Sequence, residues 1–364
     1  MTFAAQRDEA DRPEKIRGQW RRTKLETMRV AVTEHLLSEP EDLDAYLAAG
    51  FNTLVVFDVN GCVESGTAWS FKSEEQIRAE TAFARERGLP LIIGMAVEPY
   101  VGMGSETAEY SLAPFAARRP FAMATNSVVP NALIPQATDT EIRERLELWK
   151  KYGDDVVIGA FPWYDDVFRE RVDVERQRHV YRLIKEVAPD WYGFGMIGEF
   201  GFNATDDEAA RYYDPAAFDH LIVLMYPFNV GSAITGFPLD NVASSDPDGD
   251  MIRYVDHYLA RMEERFFRHL QGGQLILLVG QAFYYPGDAK GHIPRANDIA
   301  IMMRRGNEQL RKVSGQQHNF SAAYYYWGAE GSFVVGLSQR SDWLAAVRDV
   351  GDGLERDARE ELRP

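Results

Sequence analysis

The sequence predicts a (β/α)8 TIM barrel, an α/β fold in which parallel strands alternate with helices. Short β-rich apolar runs alternate along the chain with longer segments of helical periodicity, and eight such pairs follow one another. The 364 residues are 45% apolar and show no linker or break in composition, which favours one large domain. The first run is followed by TEHLLSEPED, which lacks the glycines that a doubly wound nucleotide-binding sheet needs there.

Each predicted strand is followed by helical sequence with recognisable start and stop signals. Ser73 is a suitable N-cap for the helix after the second run, and Gly88 is a suitable stop. Asp173 is expected to cap the helix after the fourth run. The eight strand-bearing runs are residues 27–36, 51–61, 89–100, 156–166, 191–202, 219–229, 274–287 and 320–331.

Three segments are predicted along the chain. Residues 1–26 form an N-terminal extension, residues 27–350 a single barrel, and residues 351–364 a C-terminal tail. A long, irregular, proline-containing stretch at 101–138 interrupts the pattern after strand 3. Insertions of this length in a barrel lie over the catalytic face or wrap the wall, and the sequence leaves both arrangements open.

Charge and cysteine content limit the partners and the compartment. The formal net charge is −16, from 56 acidic and 40 basic residues, which argues against nucleic acid or an anionic membrane as a partner. The single cysteine, Cys62, cannot form an internal disulfide. The sequence shows neither the apolar core of a signal peptide nor the ~20 apolar residues of a membrane helix. We therefore expect a cytoplasmic protein, or a secreted one if a leader has been removed; the oligomeric state stays open.

Polar and aromatic side chains are concentrated where the predicted strands end. The active site of a barrel gathers at the carboxyl ends of its strands, so these residues are candidates for function. Charged groups at an apolar barrel mouth are costly unless they are paired or used. The acidic residues at these ends are Glu34, Asp58, Glu98, Asp165, Asp166, Glu199 and Glu330.

Neighbouring carboxylates flanked by aromatic rings are what glycoside hydrolysis requires. One carboxyl group protonates the leaving oxygen and the other assists the anomeric carbon, while aromatic faces pack on sugar rings. We therefore predict Asp165, Asp166 and Glu199 as catalytic residues, with neither a metal nor a cofactor. The predicted carbohydrate-binding residues are Glu34, Asp58, Glu98, Tyr164, Tyr226, Asn229, Gln281, Tyr285 and Trp327.

Short motifs in two of the runs resemble those of known barrel glycosidases. The segment YDDV at 164–167 resembles the FDD-type ending of the fourth strand in O-GlcNAcase-like enzymes. LIVLMYPFN at 221–229 is similar to the M-x-Y ending in chitinase-like barrels, and Trp327 to the tryptophan on their pocket floor. The D-x-x-D-x-D-x-E series of chitinases is absent, and Pro227 follows Tyr226 in place of an aspartate. The resemblance implies the TIM-barrel glycoside hydrolase superfamily, with the exact family left open.

That resemblance also implies individual roles. Asp165 would orient a substrate acetamido group and Asp166 would be the general acid. For a substrate without an acetamido group, Glu199 is the best second carboxylate, opposite Asp165 or Asp166 across the sugar. Gln281 stands where other barrel glycosidases carry a glutamate nucleophile, and a glutamine cannot form a glycosyl ester. Because the next helix is predicted to begin near Asp173, the aspartate pair is expected to lie too far upstream to cap it.

Three other functions are open at this stage. A non-catalytic carbohydrate-binding or scaffolding barrel would keep the aromatic residues and would not need Asp165, Asp166 or Glu199. A metal-dependent hydrolase could use Glu34, His35 and Asp58 at adjacent strand ends. A phosphate-handling barrel would need glycine-rich loops after strands 7 and 8, where GDAKGH and GAEGS are poor matches.

Overall fold

The strands of the computed structural model follow the predicted runs. The structure describes residues 12–32, 40–60, 70–97, 137–163, 166–228, 234–314, 322–325, 327 and 335–361. The strands of the main sheet are β1 (Arg29–Ala31), β2 (Leu54–Phe57), β3 (Leu91–Gly94), β4 (Val157–Phe161), β5 (Tyr192–Ile197), β6 (His220–Met225), β7 (Ile276–Gln281) and β8 (Ala322–Tyr325). Over the described residues, these eight strands pair in parallel in the order β1-β8-β7-β6-β5-β4-β3-β2.

The two strands at the ends of this order are also neighbours. The amide of Asn52, just before β2, donates to the carbonyl oxygen of Arg29 in β1 at 2.9 Å. The Asn52 side chain accepts from the Arg29 amide, also at 2.9 Å. These bonds close the sheet on itself, so the predicted (β/α)8 barrel is confirmed.

Helices surround the barrel, and several begin at the predicted caps. Ser73 forms a capping box with Gln76, and Gly88 adopts a φ of +64° after the same helix. Asp173 occupies the predicted N-cap position but makes no capping hydrogen bond, because its carboxylate binds Arg211 at 2.6 Å. The helices are α1 (Arg12–Glu26), α2 (Pro40–Ala48), α3 (Glu74–Glu86), α4 (Asp139–Gly153), α5 (Val167–Glu170), α6 (Val174–Val187), α7 (Glu199–Phe202), α8 (Asp206–Tyr212), α9 (Pro247–Arg265), α10 (Ala296–Ser314) and α11 (Ser341–Glu361).

The strands divide their side chains between two apolar layers. Successive residues of a strand point to opposite faces, so alternate residues enter the barrel interior. The interior cluster takes Val55 and Phe57 from β2, whereas Leu54 and Val56 of the same strand belong to the outer cluster beneath the helices. Burial on both faces explains why the strands are continuous apolar runs rather than alternating ones.

Helix α1 closes the amino-terminal end of the barrel. Leu25 is fully buried in the interior cluster, and Trp20 packs against that cluster. Arg21, also fully buried, donates to the carbonyl oxygen of Asp154 at 2.7 Å, just before β4.

At the other end of the chain, α11 runs without interruption through residue 350, where the sequence suggested a boundary. Most of the predicted insertion at 101–138 lies outside the described residues.

One buried histidine lies at this closed end of the barrel. The His220 side chain in β6 is 3% exposed, and its Nδ1 accepts from the Leu275 amide at 3.0 Å. The ring packs against Tyr192, with centroids 4.5 Å apart. Burial, followed by the nearby positive charge of Arg22, lowers the pKa of His220 from its usual 6.5 to about 3. The imidazole is therefore neutral in the folded protein at neutral pH.

We expect acidification to destabilise the protein through His220. Because its pKa is lower in the folded state, the unfolded chain takes up a proton below pH 6.5 that the folded chain accepts only near pH 3. The free energy of unfolding should therefore fall by about 2 kcal/mol between pH 7 and pH 5 from this residue alone. His220→Asn keeps an acceptor for Leu275 but does not titrate, so urea unfolding at both pH values should show a smaller loss. Parallel losses in the two proteins would contradict this assignment.

Candidate active site

The predicted site residues fall into two groups. Five of them lie outside the described residues: Glu34, Glu98, Tyr164, Asp165 and Asn229. The remaining seven are Asp58, Asp166, Glu199, Tyr226, Gln281, Tyr285 and Trp327. Five of these seven gather at the carboxyl ends of β4 to β7, and Asp58 and Trp327 do not join them.

Asp166 follows β4 and begins the short helix α5. Its Oδ1 accepts from the Phe168 amide at 2.9 Å, and the side chain is 1% exposed. Asp166 does not cap α6, as expected, but it caps the four-residue helix α5, which the sequence analysis did not predict. A capping bond holds the carboxylate in a defined orientation at the end of its strand.

Glu199 follows β5 and is the first residue of helix α7. Its side chain is 2% exposed, and its Oε1 accepts from the backbone amide of Tyr226 at the end of β6. This bond links the carboxyl ends of two neighbouring strands. The carboxylate is thus oriented by a backbone donor, as the carboxylate of Asp166 is.

A glycine at the end of β5 leaves room for the Asp166 side chain. Gly198 directly precedes Glu199, and a Cβ placed on Gly198 would lie 3.2 Å from Asp166 Oδ2 and 3.2 Å from Leu224 Cβ. The Asp166 side chain therefore lies against the backbone at the end of β5. A larger residue than glycine would crowd it, so the missing side chain permits this close approach.

Two tyrosines of helix α9 lie in the same charged environment. Burial raises the pKa values of Tyr254 and Tyr258 well above normal, and the negative charge of Glu199 raises both further. Asp166 and Tyr226 also raise the pKa of Tyr258. The Tyr258 hydroxyl donates to the Leu224 carbonyl oxygen at 2.7 Å. Sequence reasoning missed this pair, although their i, i+4 spacing on the amphipathic α9 was a usable signal.

Aromatic side chains lie beside the carboxylates. The rings of Tyr226 and Phe283 meet edge to face with centroids 5.3 Å apart, and the ring of Tyr285 meets that of Phe283 at 6.0 Å. Phe283 was not among the predicted site residues. Tyr226 is partly exposed, so its ring has a surface that a ligand can contact.

Gln281 ends β7 and is fully buried. Its Oε1 accepts from the Phe228 amide at 2.8 Å, and its Nε2 donates to the carbonyl oxygen of Phe283 at 3.0 Å. The amide side chain thus joins the segments that follow β6 and β7. Gln281 was predicted to bind substrate, and in the structure its side chain links these two backbone segments.

Asp58 contacts helices of the outer layer. It is fully buried, and its carboxylate accepts from Arg145 Nε at 2.8 Å and from Trp149 Nε1 at 2.7 Å, both on α4. Lys72 and Glu80 form a second buried ion pair nearby. Substrate binding by Asp58, as predicted from the sequence, is thus corrected to a buried ion pair, because α4 residues occupy both carboxylate oxygens.

Trp327 belongs to the outer apolar cluster. Its ring is 2% exposed and contacts Tyr46 and Phe51, with centroids 5.1 and 6.1 Å away. Both neighbours lie in or just after α2. The tryptophan was predicted to line the sugar pocket, and this expectation is corrected: the ring packs between the barrel and its helices.

The described residues contain no metal-binding group and no membrane-spanning helix. Nowhere in these ranges do three or more His, Cys, Asp or Glu side chains come together as a metal site would need. Of the three residues considered as metal ligands, Asp58 is bound by α4 residues, and Glu34 and His35 lie outside the described residues. Helices in the described ranges are either too short or too polar to cross a bilayer.

Comparison with known proteins gives structural likeness without sequence likeness. No protein-family model matches the chain, and no curated protein sequence matches it significantly. Among solved structures, the chain is similar to the catalytic domain of a mannanase from Streptomyces sp. SirexAA-E, with 15% identity, 89% of this chain and 86% of that chain covered, and a TM-score of 0.48. It is also similar to a chitinase from Chromobacterium violaceum, with 15% identity, 89% of this chain and 98% of that chain covered, and a TM-score of 0.46. A β-mannanase from Streptomyces thermolilacinus has 13% identity, with 89% of this chain and 89% of that chain covered, and a TM-score of 0.46.

Proposed function

We propose that this protein is a glycoside hydrolase or transglycosidase that acts on an oligo- or polysaccharide with carboxylate acid/base chemistry. The observation that carries the proposal is that Asp166 and Glu199 follow the neighbouring strands β4 and β5, and that the Asp166 carboxylate lies against Gly198, the residue before Glu199. Two positioned carboxyl groups on the catalytic face of a barrel are the minimum that hydrolysis of a glycosidic bond needs.

The two carboxyl groups take different roles in this proposal. Asp166 is the general acid that protonates the leaving glycosidic oxygen. Glu199 assists at the anomeric carbon, as nucleophile in a retaining reaction or as base towards water in an inverting one. Asp165, adjacent to Asp166, orients an acetamido group if the substrate carries one, as its resemblance to O-GlcNAcase-like enzymes implies.

The aromatic residues supply the binding surface. Tyr226 and Tyr285 are partly exposed, and both rings meet the buried ring of Phe283 edge to face, beside the Tyr226 amide that binds Glu199. Flat apolar rings pack against the C–H faces of sugars, and the tyrosine hydroxyls can bond to sugar hydroxyls. Glu34, Glu98, Tyr164 and Asn229 remain proposed binding residues on the basis of the sequence. A carbohydrate partner and a cytoplasmic location belong to the same proposal.

A non-catalytic carbohydrate-binding barrel is the second candidate, and one observation favours it. Backbone amides engage both carboxylates: Asp166 caps α5 and Glu199 binds the Tyr226 amide. Bonds of this kind also occur where a carboxylate only holds backbone in place. In that case the aromatic series would bind sugar and no bond would be cleaved.

A screen of chromogenic and oligosaccharide glycosides tests the proposal. Wild type, Asp165→Asn, Asp166→Asn and Glu199→Gln are assayed for turnover and, by calorimetry, for sugar binding. We expect wild type to hydrolyse at least one glycoside and the Asp166 and Glu199 variants to lose most of that turnover. Equal activity in all four proteins would refute the site, and binding without turnover in wild type would establish the second candidate.

A further inference from the structure

Gln281 occupies a central position between the carboxylates and the aromatic series. Its side chain is fully buried, and it bridges the Phe228 amide after β6 and the Phe283 carbonyl oxygen after β7. A buried amide that spans two segments in this way restricts both of them, because breaking either bond leaves a polar group unsatisfied.

The bridged segments lead directly to Glu199. Tyr226 lies two residues before Phe228, and its amide donates to the Glu199 carboxylate. Pro227 lies between Tyr226 and Phe228, and its ring fixes its backbone φ angle, so a displacement of Phe228 is transmitted to Tyr226. On the other side of the bridge, Phe283 packs edge to face on the Tyr226 ring at 5.3 Å. Gln281 is thus connected to Tyr226 in two ways, through the Phe228 backbone and through the Phe283 ring. Tyr226 in turn binds the Glu199 carboxylate.

We propose that Gln281 is a positioning residue that fixes the Glu199 carboxylate and the Tyr226–Phe283 aromatic pair, and that it does not bind substrate. The catalytic part of this inference rests on the proposed function; the structural coupling does not. A neutral amide suits the position, since a carboxylate there would place an oxygen against the Phe283 carbonyl oxygen. The end of β7 therefore supports the site without supplying a reacting group.

Backbone amide hydrogen exchange tests the coupling without any substrate. Gln281→Met has a similar shape but neither donates nor accepts, so the Phe228 amide should exchange roughly tenfold faster. The Tyr226 amide, which donates to Glu199, should accelerate as well. Gln281→Leu also removes both bonds without adding a charge, so it serves as a second variant if Gln281→Met does not fold.

Gln177 provides a matched control. It is also a buried glutamine, and its Nε2 donates to the carbonyl oxygens of Val172 and Tyr212 at 2.6 and 2.7 Å, on segments other than those that follow β6 and β7. Gln177→Met should lower the melting temperature as Gln281→Met does, while leaving exchange at Tyr226 unchanged. Unchanged exchange at Tyr226 in both Gln281 variants would overturn the proposed coupling.

Kinetics on a glycoside found by the screen test the consequence for catalysis. Gln281→Met should lower kcat by roughly tenfold or more, with a smaller change in KM, whereas Gln177→Met should keep both near their wild-type values. A rise in KM alone would show that Gln281 binds substrate directly and would overturn the assignment. If wild type neither cleaves nor binds any glycoside, the proposed function fails, and the exchange measurement still decides the role of Gln281.

Discussion

Replacement of Asp166 by asparagine is expected to lower kcat by roughly 10²- to 10⁴-fold, the usual contribution of a general acid. The asparagine Oδ1 can still accept from the Phe168 amide, so the cap on α5 and the fold should survive. Only the transferable proton is lost. The measurement is the single-turnover rate on an active glycoside together with calorimetric sugar affinity, which should stay within a few-fold of wild type.

Asp173→Asn is the matched control for this substitution. Asp173 also occupies an N-cap position, but its carboxylate is half exposed and binds Arg211 on the surface. Its replacement should leave kcat and affinity unchanged. Full activity in Asp166→Asn would refute the general-acid role, and a matching loss of melting temperature and activity would reduce Asp166 to a structural cap.

Replacement of Asp58 by alanine is expected to destabilise the protein by roughly 3–5 kcal/mol, the usual cost of breaking a buried ion pair. The substitution leaves the mostly buried Arg145 without its carboxylate partner, and Trp149 Nε1 loses its acceptor. The free energy of unfolding in urea, measured at neutral pH, gives the loss. The sugar affinity of the folded fraction should not change, because the Asp58 carboxylate binds side chains of α4 and not the substrate.

Asp155→Ala breaks an exposed pair with Arg85 and serves as the comparison. The partners are about half exposed, so the effect should remain below about 1 kcal/mol. A large effect at Asp58 and a small one at Asp155 would establish the buried ion pair. Reduced sugar affinity in Asp58→Ala with unchanged stability would instead support the substrate-binding role suggested by its place at a strand end.

The fold could be predicted from the chain because its signals are local. Each strand of a parallel barrel is buried on both faces, so it reads as an apolar run, and each following helix has its own periodicity. Ser73 and Gly88 mark the ends of one helix as expected. The four-residue helix α5 was missed because it spans scarcely more than one turn, which is too short to show a helical period. For that reason the capping role of Asp166 was missed as well.

The position of a residue at a strand end did not determine which way it faces. Phe57 and Asp58 are adjacent, yet Phe57 enters the interior cluster and Asp58 binds α4 in the outer layer. If the predicted strand is shifted by one residue, the side chains assigned to the barrel interior and those assigned to the helix layer change places. The packing of Trp327 could not be read from the sequence because its partner Tyr46 lies far away in the chain. The bond from Gln281 to the Phe283 carbonyl oxygen depends on how the chain turns after β7.

The sequence by itself determined the eight-unit barrel order, the acidic character of the strand ends and the choice of Asp166 and Glu199 as candidates. Only the tertiary structure decided that Asp166 lies against Gly198, that Tyr258 lies near the charges of both Glu199 and Asp166, and that Gln281 joins two backbone segments. The physical reason is the distance along the chain over which each interaction acts. Apolar periodicity and capping act within a few residues, whereas hydrogen bonds across strand ends depend on which strands the closed sheet makes neighbours.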